Sequence, residues 1–229
     1  MREASRLLAE GLAELAVPDP GRAAPLLESY MDELERWNPR FGLVKFGSRE
    51  DLVIRHVLDS LSAWSYVCTA AEGAGEPGGR ATVLDIGSGA GLPGIPLAVA
   101  LPGLSFTLLE RMARRASFLR TCTLLLGLPR VTVMQRDLGE VRGFFDIVTF
   151  RAYAPLSRFL DESTRAGPRW RTLLAYKGKK ESAAEELDAV RARVVSAELV
   201  TLRTPFLDEE RCLVTLRQVP LIDKPVRSG

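Results

Sequence analysis

The sequence predicts an α/β fold, in which helices pack on both faces of a mainly parallel, doubly wound sheet of the Rossmann-like type. Three observations support this prediction. Strand-like and helix-like segments alternate after residue 80, the apolar run 82–86 passes directly into a glycine-rich turn, and two strand-like runs lie near the end of the chain. The 229 residues are enough for one domain with a sizeable core and a small helical addition.

The N-terminal third has the residue spacing of helices. Residues 3–16 place leucines at helical intervals until Pro18 interrupts the pattern. A second amphipathic helix follows, and Ser48 with Asp51 three positions later resembles the cap of a third helix that runs through Trp64. The expected division of the chain is a helical cap over 1–71, a flexible glycine-rich joint over 72–79 and the main domain over 80–229.

Beyond the joint, strands and helices alternate. Strands are predicted at 81–86, 105–110, 131–135, 145–150 and 172–177. Helices are predicted at 94–101, 112–126, 155–166 and 179–193, and the second of them stops at Gly127, which can adopt a left-handed backbone. The runs 194–204 and 212–219 are β-rich and have no helix between them, so we expect them to pair as an antiparallel hairpin.

The turn after the first strand predicts a site for a nucleoside cofactor. Asp85 lies near the end of the apolar run, and Gly87, Gly89 and Gly91 follow at once. Glycine has no Cβ, so it can take a positive φ and let a ligand lie against the main chain. The next strand ends in Glu110, which is placed to hold ribose hydroxyls as the acidic residue of a nucleotide-binding fold does.

Two cofactors fit this pattern, and the residues favour S-adenosylmethionine over NAD. A dinucleotide fingerprint, G-x-G-x-x-G, starts at Gly89, but such a match is weak evidence when it stands alone. Asp85 would repel a pyrophosphate and attract the ammonium group of methionine; the alternative role for Asp85 is a carboxylate that organises the loop. Pro93 and Pro96 lack the amide N–H groups that a phosphate would use.

The formal net charge of +2 conceals an uneven distribution of charge. Residues 111–180 contain 15 Lys or Arg and 5 Asp or Glu, whereas the remainder of the chain is net acidic. Such segregation is typical of proteins that bind a polyanion on one side. It suggests RNA or DNA as a partner, and a solvated cationic helix face is the alternative interpretation.

Composition also narrows the class of protein. The three cysteines are odd in number and widely spaced, which is typical of a reduced cytoplasmic protein. A single histidine, His56, disfavours a zinc site, so no metal is expected. No apolar stretch is long enough to cross a bilayer, and the N-terminus does not resemble a signal peptide. We therefore expect a cytoplasmic monomer without membrane association.

The loop after the fourth strand and the positions of the cysteines limit which atom could accept a methyl group. Methylation of an exocyclic amine usually uses an Asn/Asp-Pro-Pro-Tyr-type loop, whereas residues 150–155 read Phe-Arg-Ala-Tyr-Ala-Pro. Methylation of pyrimidine C5 needs a cysteine nucleophile, normally one that follows proline, and none of the three cysteines follows proline. Guanine N7 presents an in-plane lone pair and needs no general base, so it suits a site with arginines and no evident base.

Several motifs together resemble a known family. They are Trp-Asn-Pro-x-x-Gly-Leu from Trp37, Arg-His-x-Leu-Asp-Ser-Leu over 55–61, Leu-Asp-Ile-Gly-Ser-Gly-Ala-Gly-Leu-Pro-Gly-Ile-Pro-Leu over 84–97, Phe-Leu-Arg over 118–120, Arg151-Ala152, Leu-Ala-Tyr-Lys-Gly over 174–178 and Glu210-Arg211. In these motifs the chain resembles the bacterial 16S rRNA (guanine-N7) methyltransferase G family, also called glucose-inhibited division protein B. The resemblance covers nearly the whole chain, and the Leu-Pro-Gly-Ile-Pro segment is more specific than the glycines alone.

The resemblance implies the class I S-adenosylmethionine-dependent methyltransferase fold, with its terminal antiparallel hairpin. It also implies methylation of N7 of one guanine in the decoding-region loop of 16S rRNA, with that RNA or the small ribosomal subunit as the partner. The matched motifs place the cofactor on Gly87, Leu92, the turn formed by Leu138 and Gly139, and Arg151. Arg151 is expected to lie beside the cofactor as the catalytic residue that faces the guanine.

The remaining roles each have a plain structural alternative. RNA phosphates are expected to contact three basic residues: Arg120, Lys177 and Arg211. Long basic side chains often only cover apolar surface instead. Tyr153 is expected either to stack on the extruded base or to pack in the interior. His56 lies three positions before Asp59, so it is either a proton acceptor or part of a pair that fixes a helix.

Three positions depart from the usual family pattern. Val44 stands where Thr is usual, Gly139 where Glu is common and Phe150 where Ser is common. Two other functions stay open at this point. One is a methyltransferase that acts on another RNA or on a small molecule, and the other is an RNA-binding module without activity.

Overall fold

A computed structural model describes residues 2–72, 74 and 80–218. Its strands are β1 (Thr82–Ile86), β2 (Ser105–Leu109), β3 (Val131–Met134), β4 (Phe144–Arg151), β5 (Arg169–Lys177), β6 (Ser196–Leu202) and β7 (Arg211–Arg217). They form one seven-stranded sheet in the order β3-β2-β1-β4-β5-β7-β6. The first five strands are parallel, and β7 lies antiparallel between β5 and β6.

Helices cover both faces of this sheet. They are α1 (Arg2–Glu14), α2 (Pro20–Phe41), α3 (Arg49–Leu52), α4 (Asp59–Leu61), α5 (Trp64–Glu72), α6 (Gly94–Ala100), α7 (Ala113–Leu125), α8 (Leu156–Ala166) and α9 (Lys180–Val190). A π-helical stretch, Val53–Leu58, joins α3 to α4, and 3-10 turns lie at Leu138–Glu140 and Arg191–Arg193. Among the described residues, none of these helices combines the length and apolar character needed to cross a bilayer.

The topology confirms the predicted α/β sheet and its terminal hairpin. Each predicted strand is present, with ends that differ by three residues or fewer. The third helix of the cap is not one continuous helix as predicted: it contains the π-helical stretch and ends at Leu61, before Trp64 begins α5. The hydroxyl and amide groups of Ser62 both donate to the carbonyl of Asp59, which closes the helix there. Most of the predicted joint and Val219 of the hairpin lie outside the described residues.

Side chains alternate along the strands and supply one hydrophobic cluster on each face of the sheet. Val83 and Ile147 pack with the cap, α6 and α7, whereas Leu84 and Val148 pack with α8 and α9. The leucines of α1 and α2, such as Leu27, are fully buried in the first of these clusters. The helices of the cap therefore pack directly on one face of the sheet. The division of the chain into a cap over 1–71 and a main domain over 80–229 stays a prediction.

Two buried tyrosines fasten the cap to the sheet. Tyr30 of α2 donates its hydroxyl hydrogen to the carbonyl of Ala90, in the turn after β1, at 2.6 Å. Tyr176 of β5 donates to the carbonyl of Ser60 in α4, also at 2.6 Å. Each bond satisfies a polar group that would otherwise be costly to bury, and each joins segments at least 60 residues apart.

Asp59 joins the cap to the carboxyl end of the sheet. Its side chain is 4% exposed, and its two oxygens bind different arginines. Oδ2 accepts from Nη1 of Arg151, at the end of β4, and Oδ1 accepts from Nε of Arg211, at the start of β7, both at 2.9 Å. Charge-assisted hydrogen bonds of this kind are stronger than neutral ones, so one carboxylate holds a helix against two strands.

We expect Asp59→Ala to lower the free energy of unfolding by about 3 kcal/mol, because removing one member of a buried ion pair leaves its partners unpaired. Urea denaturation measures the change. Glu10→Ala is the matched control, since Glu10 forms an exposed pair with Arg6 at 2.7 Å, and its loss should stay below about 1 kcal/mol. Equal losses in the two variants would show that Asp59 is no more than a surface carboxylate.

Candidate active site

A cleft of about 540 Å³ opens at the carboxyl ends of the parallel strands. β1 lies between β2 and β4 in the sheet, so the connections that follow β1 and β4 leave a crevice between them. This is the position where doubly wound sheets bind their ligands. Of the nine residues predicted to bind the cofactor, four line the cleft: Gly87, Glu110, Leu138 and Gly139. The lining does not include the other five, which are Asp85, Gly89, Gly91, Leu92 and Arg151.

The turn after β1 requires glycine because its backbone enters the left-handed region. The φ angles are +66° at Gly87, +56° at Gly89 and +90° at Gly91, and residues with a Cβ rarely adopt such values. A Cβ at Gly87 would also lie 2.9 Å from Cδ2 of Tyr153, and one at Gly91 would lie 2.5 Å from Cδ1 of Ile95. The three glycines therefore build a cradle of bare main chain, with Gly87 in the cleft wall.

Glu110 holds this turn from the neighbouring strand. The residue is 4% exposed. Its Oε2 accepts from the amide of Gly89 at 3.0 Å and its Oε1 accepts from the amide of Met112 at 2.8 Å. Each carboxylate oxygen can accept more than one hydrogen bond, so Glu110 can organise the turn and still face the cleft.

Asp85 lies fully buried beneath the turn. Its Oδ2 accepts from the amide of Gly94 at 3.2 Å, and a Cβ at Gly94 would lie only 2.5 Å from that oxygen. Its Oδ1 is buried and has no hydrogen-bond partner among the described residues. Burial raises the pKa of Asp85 to about 7. The loop-organising role is therefore present in the geometry, and one oxygen still lacks a donor.

Leu138 and Gly139 form the opposite wall of the cleft. They lie in a 3-10 turn that a capping box closes: Asp137 accepts from the amide of Glu140, and Glu140 accepts from the amide of Asp137. A Cβ at Gly139 would lie 4.0 Å from Cβ of Ala166, which is ordinary van der Waals contact. A side chain would therefore fit at position 139, so glycine is not needed there for steric reasons.

Arg151 ends β4, but its guanidinium group turns towards the cap. Besides Asp59, Nη1 donates to the carbonyl of Arg55 at 3.3 Å, and Nη2 lies 3.1 Å from Nδ1 of His56. These contacts turn the side chain away from the lining of the cleft, and its expected position beside the cofactor stays a prediction. A catalytic role for Arg151 stays a prediction.

The same contacts define the state of His56. A guanidinium group only donates, so Nδ1 of His56 must accept from Arg151. Nε2 lies 2.9 Å from the carbonyl of Lys45, which only accepts, so Nε2 carries the proton. Burial, and then the charge of Arg151, lower the pKa of His56. The imidazole is thus neutral and has no free lone pair, so the geometry supports the structural role for His56 over the proton acceptor.

The three residues predicted to contact RNA phosphates differ in their surroundings. Lys177 is 13% exposed and pairs with Glu186 at 2.7 Å. Arg211 is committed to Asp59, whereas Arg120 on α7 is exposed. The structure therefore does not gather the three at the cleft, because two of them are held by carboxylates, and their contact with RNA stays a prediction.

The arginines that line the cleft are not among the site residues predicted from the sequence. They come from the turn after β2, from α7, from the turn after β3 and from α8, and they are Arg111, Arg115, Arg136, Arg158 and Arg165. Three carboxylates face them: Glu110, Asp137 and Glu162. The signal that could have found these arginines is the basic stretch 111–180, because all five lie within it. In the described part of the chain, no group of three His, Cys, Asp or Glu residues could hold a metal ion.

Comparisons with known proteins place the chain in a family. The family model for rRNA small subunit methyltransferase G, GidB, matches residues 23–214. The ribosomal RNA small subunit methyltransferase G of Treponema pallidum is 39% identical over 92% of this chain and 92% of the relative. The protein of that name from Nitrosococcus oceani is 35% identical over 92% of this chain and 94% of the relative.

Solved structures agree in fold. The METTL16 methyltransferase domain superposes with a TM-score of 0.60 at 15% identity, over 86% of this chain and 81% of that domain. The N-terminal domain of human METTL16 in complex with SAH gives 0.57 at 14% identity, over 86% of this chain and 82% of that one. At such low identity these likenesses concern the fold alone, which is that of the class I methyltransferases. The family model and the relatives together show that this chain belongs to the rRNA small subunit methyltransferase G family.

Proposed function

We propose that the protein transfers a methyl group from S-adenosylmethionine to N7 of a guanine in the decoding-region loop of 16S rRNA. Family membership supports methylation of small-subunit rRNA. The positive charge of the cleft is the observation that supports an RNA substrate over a small molecule. Five arginines face three carboxylates there, and the cofactor itself is cationic overall. The surplus of positive charge is therefore explained by a polyanion and not by the cofactor.

The residues around the turn after β1 fit S-adenosylmethionine. Asp85 offers an oxygen without a donor beneath the turn, which suits an ammonium group bound through a water molecule. Gly87 offers main chain without a Cβ, and Glu110 offers carboxylate oxygens to ribose hydroxyls. Leu138 and Gly139 offer an apolar wall to the base of the nucleoside. When bound, the cofactor supplies an electrophilic methyl group on a sulfonium ion.

The chemistry needs positioning more than proton transfer. Guanine N7 carries no proton, so its lone pair can attack in line and no base has to be regenerated. Three candidate bases near the cleft already accept hydrogen bonds: Glu110 accepts from two amides, Glu162 is bonded to Tyr153 and Arg158, and His56 is neutral with both nitrogens occupied. Oδ1 of Asp85 has no donor, but it is buried beneath the turn. Such a site holds its reactants in place, and orientation alone can supply several kcal/mol of rate enhancement.

The substrate is the 16S rRNA itself or the small ribosomal subunit, and the protein acts as a monomer in the cytoplasm. The odd, widely spaced cysteines support a reducing compartment. A methyltransferase for a small molecule is the second candidate, which would keep the cofactor half of the cleft and have no use for the arginines.

Mass spectrometry of small-subunit rRNA tests the function directly. RNA from cells that lack the protein is expected to contain one unmethylated guanine that carries a 7-methyl group in cells that have it. The purified protein should restore that methyl group with S-adenosylmethionine on RNA or subunits from the deficient cells. An unchanged 16S rRNA in the deficient cells would contradict the proposal.

Binding of S-adenosylhomocysteine is expected to weaken as the pH falls from 8 to 6. The pKa of Asp85 is raised to about 7 in the free protein, so the carboxylate that would attract the ammonium group is neutralised below that pH. The loss reaches at most about tenfold for each pH unit below the pKa. Calorimetry measures the dissociation constant, and Asp85→Asn should bind weakly at every pH. A wild-type constant that does not vary with pH would exclude this role of Asp85.

The pH dependence of stability provides a control, because ionisation of Asp85 has opposite effects on cofactor binding and on folding. Because the folded pKa of Asp85 lies above its ordinary value of 3.8, its contribution to stability is complete below about pH 4 and is lost as the pH rises through 7. Asparagine does not ionise, so this variant should lack that loss. Urea denaturation at pH 6 and pH 8 shows whether the variant is folded.

Arg136→Gln is expected to reduce the salt dependence of RNA binding. Each phosphate contact contributes about −0.7 to the slope of log K against log salt for a single strand. Arg130→Gln is the matched control, because Arg130 precedes β3 at the opposite end of the strand from Arg136. Binding to a 16S rRNA fragment should show a shallower slope for Arg136→Gln only. Identical slopes for wild type and Arg136→Gln would remove this arginine from the RNA surface.

A further inference from the structure

Tyr153 occupies the wall of the cleft directly over the glycine turn. It follows β4 by two residues, and its Cδ2 lies 2.9 Å from the position of a Cβ at Gly87. The ring also lies 5.7 Å from the ring of Phe150, at an interplanar angle of 55°. The ring is only partly buried, and it lines the cleft beside the cradle. One part of the ring is therefore packed and another part is available to a ligand.

A hydrogen bond fixes the far end of this ring. The Tyr153 hydroxyl donates to Oε2 of Glu162 at 2.9 Å, and Oε1 of Glu162 accepts from Nε of Arg158 at 2.8 Å. Burial and the bond to Glu162 raise the pKa of Tyr153 to about 12, so the phenol keeps its proton and remains a donor. With Gly87 and Phe150 at one end and Glu162 at the other, the plane of the ring is set before any ligand arrives.

The backbone next to Tyr153 is unusual as well. Ala152 has a φ of +54°, a left-handed conformation that is rare for a residue with a Cβ. Such residues persist where the surrounding structure holds them, and they cluster at functional sites. Here the conformation reverses the direction of the side chains after β4: Arg151 turns to the cap and Tyr153 turns over Gly87.

We propose that Tyr153 is a positioning residue, on whose ring the acceptor guanine stacks while its N7 faces the cradle. This inference rests on the proposed function. A base taken out of an RNA strand loses its stacking partners, and an aromatic ring in the site replaces them. Because the attack on the methyl group must be in line, a fixed plane for the base confines the N7 lone pair to the plane that contains the line of attack. The bond to Glu162 keeps that plane constant.

Tyr153→Leu and Tyr153→Phe test the proposal against Phe144→Leu as the matched control. Phe144 lies at the amino end of the same strand, away from the cleft, and is 38% exposed. Steady-state methylation of a 16S rRNA fragment should fall 10- to 100-fold in kcat/KM for Tyr153→Leu, which corresponds to about 1.4 to 2.8 kcal/mol. Tyr153→Phe keeps the ring and should lose about threefold, mainly in kcat, and Phe144→Leu should not change.

Two further measurements distinguish stacking from other roles. The dissociation constant of S-adenosylhomocysteine should change less than twofold in Tyr153→Leu. With 2-aminopurine at the target nucleotide, the complex of Tyr153→Leu should fluoresce more strongly than the wild-type complex, because stacking on the phenol quenches the probe. A parallel loss of cofactor affinity would mean that the ring contacts the cofactor instead, and an unchanged kcat/KM would mean that it only packs. Either result overturns the proposal, whereas a wild-type protein without activity on the RNA would contradict the proposed function itself.

Discussion

The cleft depends on one constraint, the left-handed backbone of the turn between β1 and α6. Three parts of the chain hold it: Glu110, directly after β2, Asp85 of β1 and Tyr30 of the cap. These bonds hold the turn and the start of α6 in place. This explains why a helical cap distant in sequence belongs to the architecture of the site, since the hydroxyl of Tyr30 holds the carbonyl of Ala90 inside the turn.

Arginines serve two different purposes in this protein, and their partners separate them. Arg151 and Arg211 share the buried carboxylate of Asp59 and therefore hold the cap to the sheet. Arg111 and Arg136 are exposed and line the cleft, where their charge is available to a polyanion. The basic residues between 111 and 180 include arginines of both kinds. An arginine within hydrogen-bonding distance of a buried carboxylate holds parts of the fold together, whereas an exposed arginine in the cleft can face a ligand.

Most of the fold could be predicted from local features of the sequence. Features that depend on contacts between distant residues could not. The strands follow from apolar runs bounded by glycine and polar residues, and the glycine turn follows from the steric freedom of glycine itself. The direction of Arg151 could not be predicted, because its partner Asp59 lies 92 residues earlier in the chain. Likewise, Arg158 and Arg165 reach the cleft only because α8 packs beside the turn at Leu138–Glu140, and no local pattern reports that contact.

The arrangement of hydrogen bonds is what a reaction without proton transfer requires. An enzyme that removes a proton needs a basic lone pair within hydrogen-bond reach of that proton. Here the lone pair of His56 Nδ1 accepts from Arg151, and both oxygens of Glu162 and both of Glu110 accept hydrogen bonds. Because an acceptor such as N7 carries no proton, none of these groups has to be free. They can all be used to fix the shape of the cleft, and the rate then depends on how accurately that shape holds the two reactants.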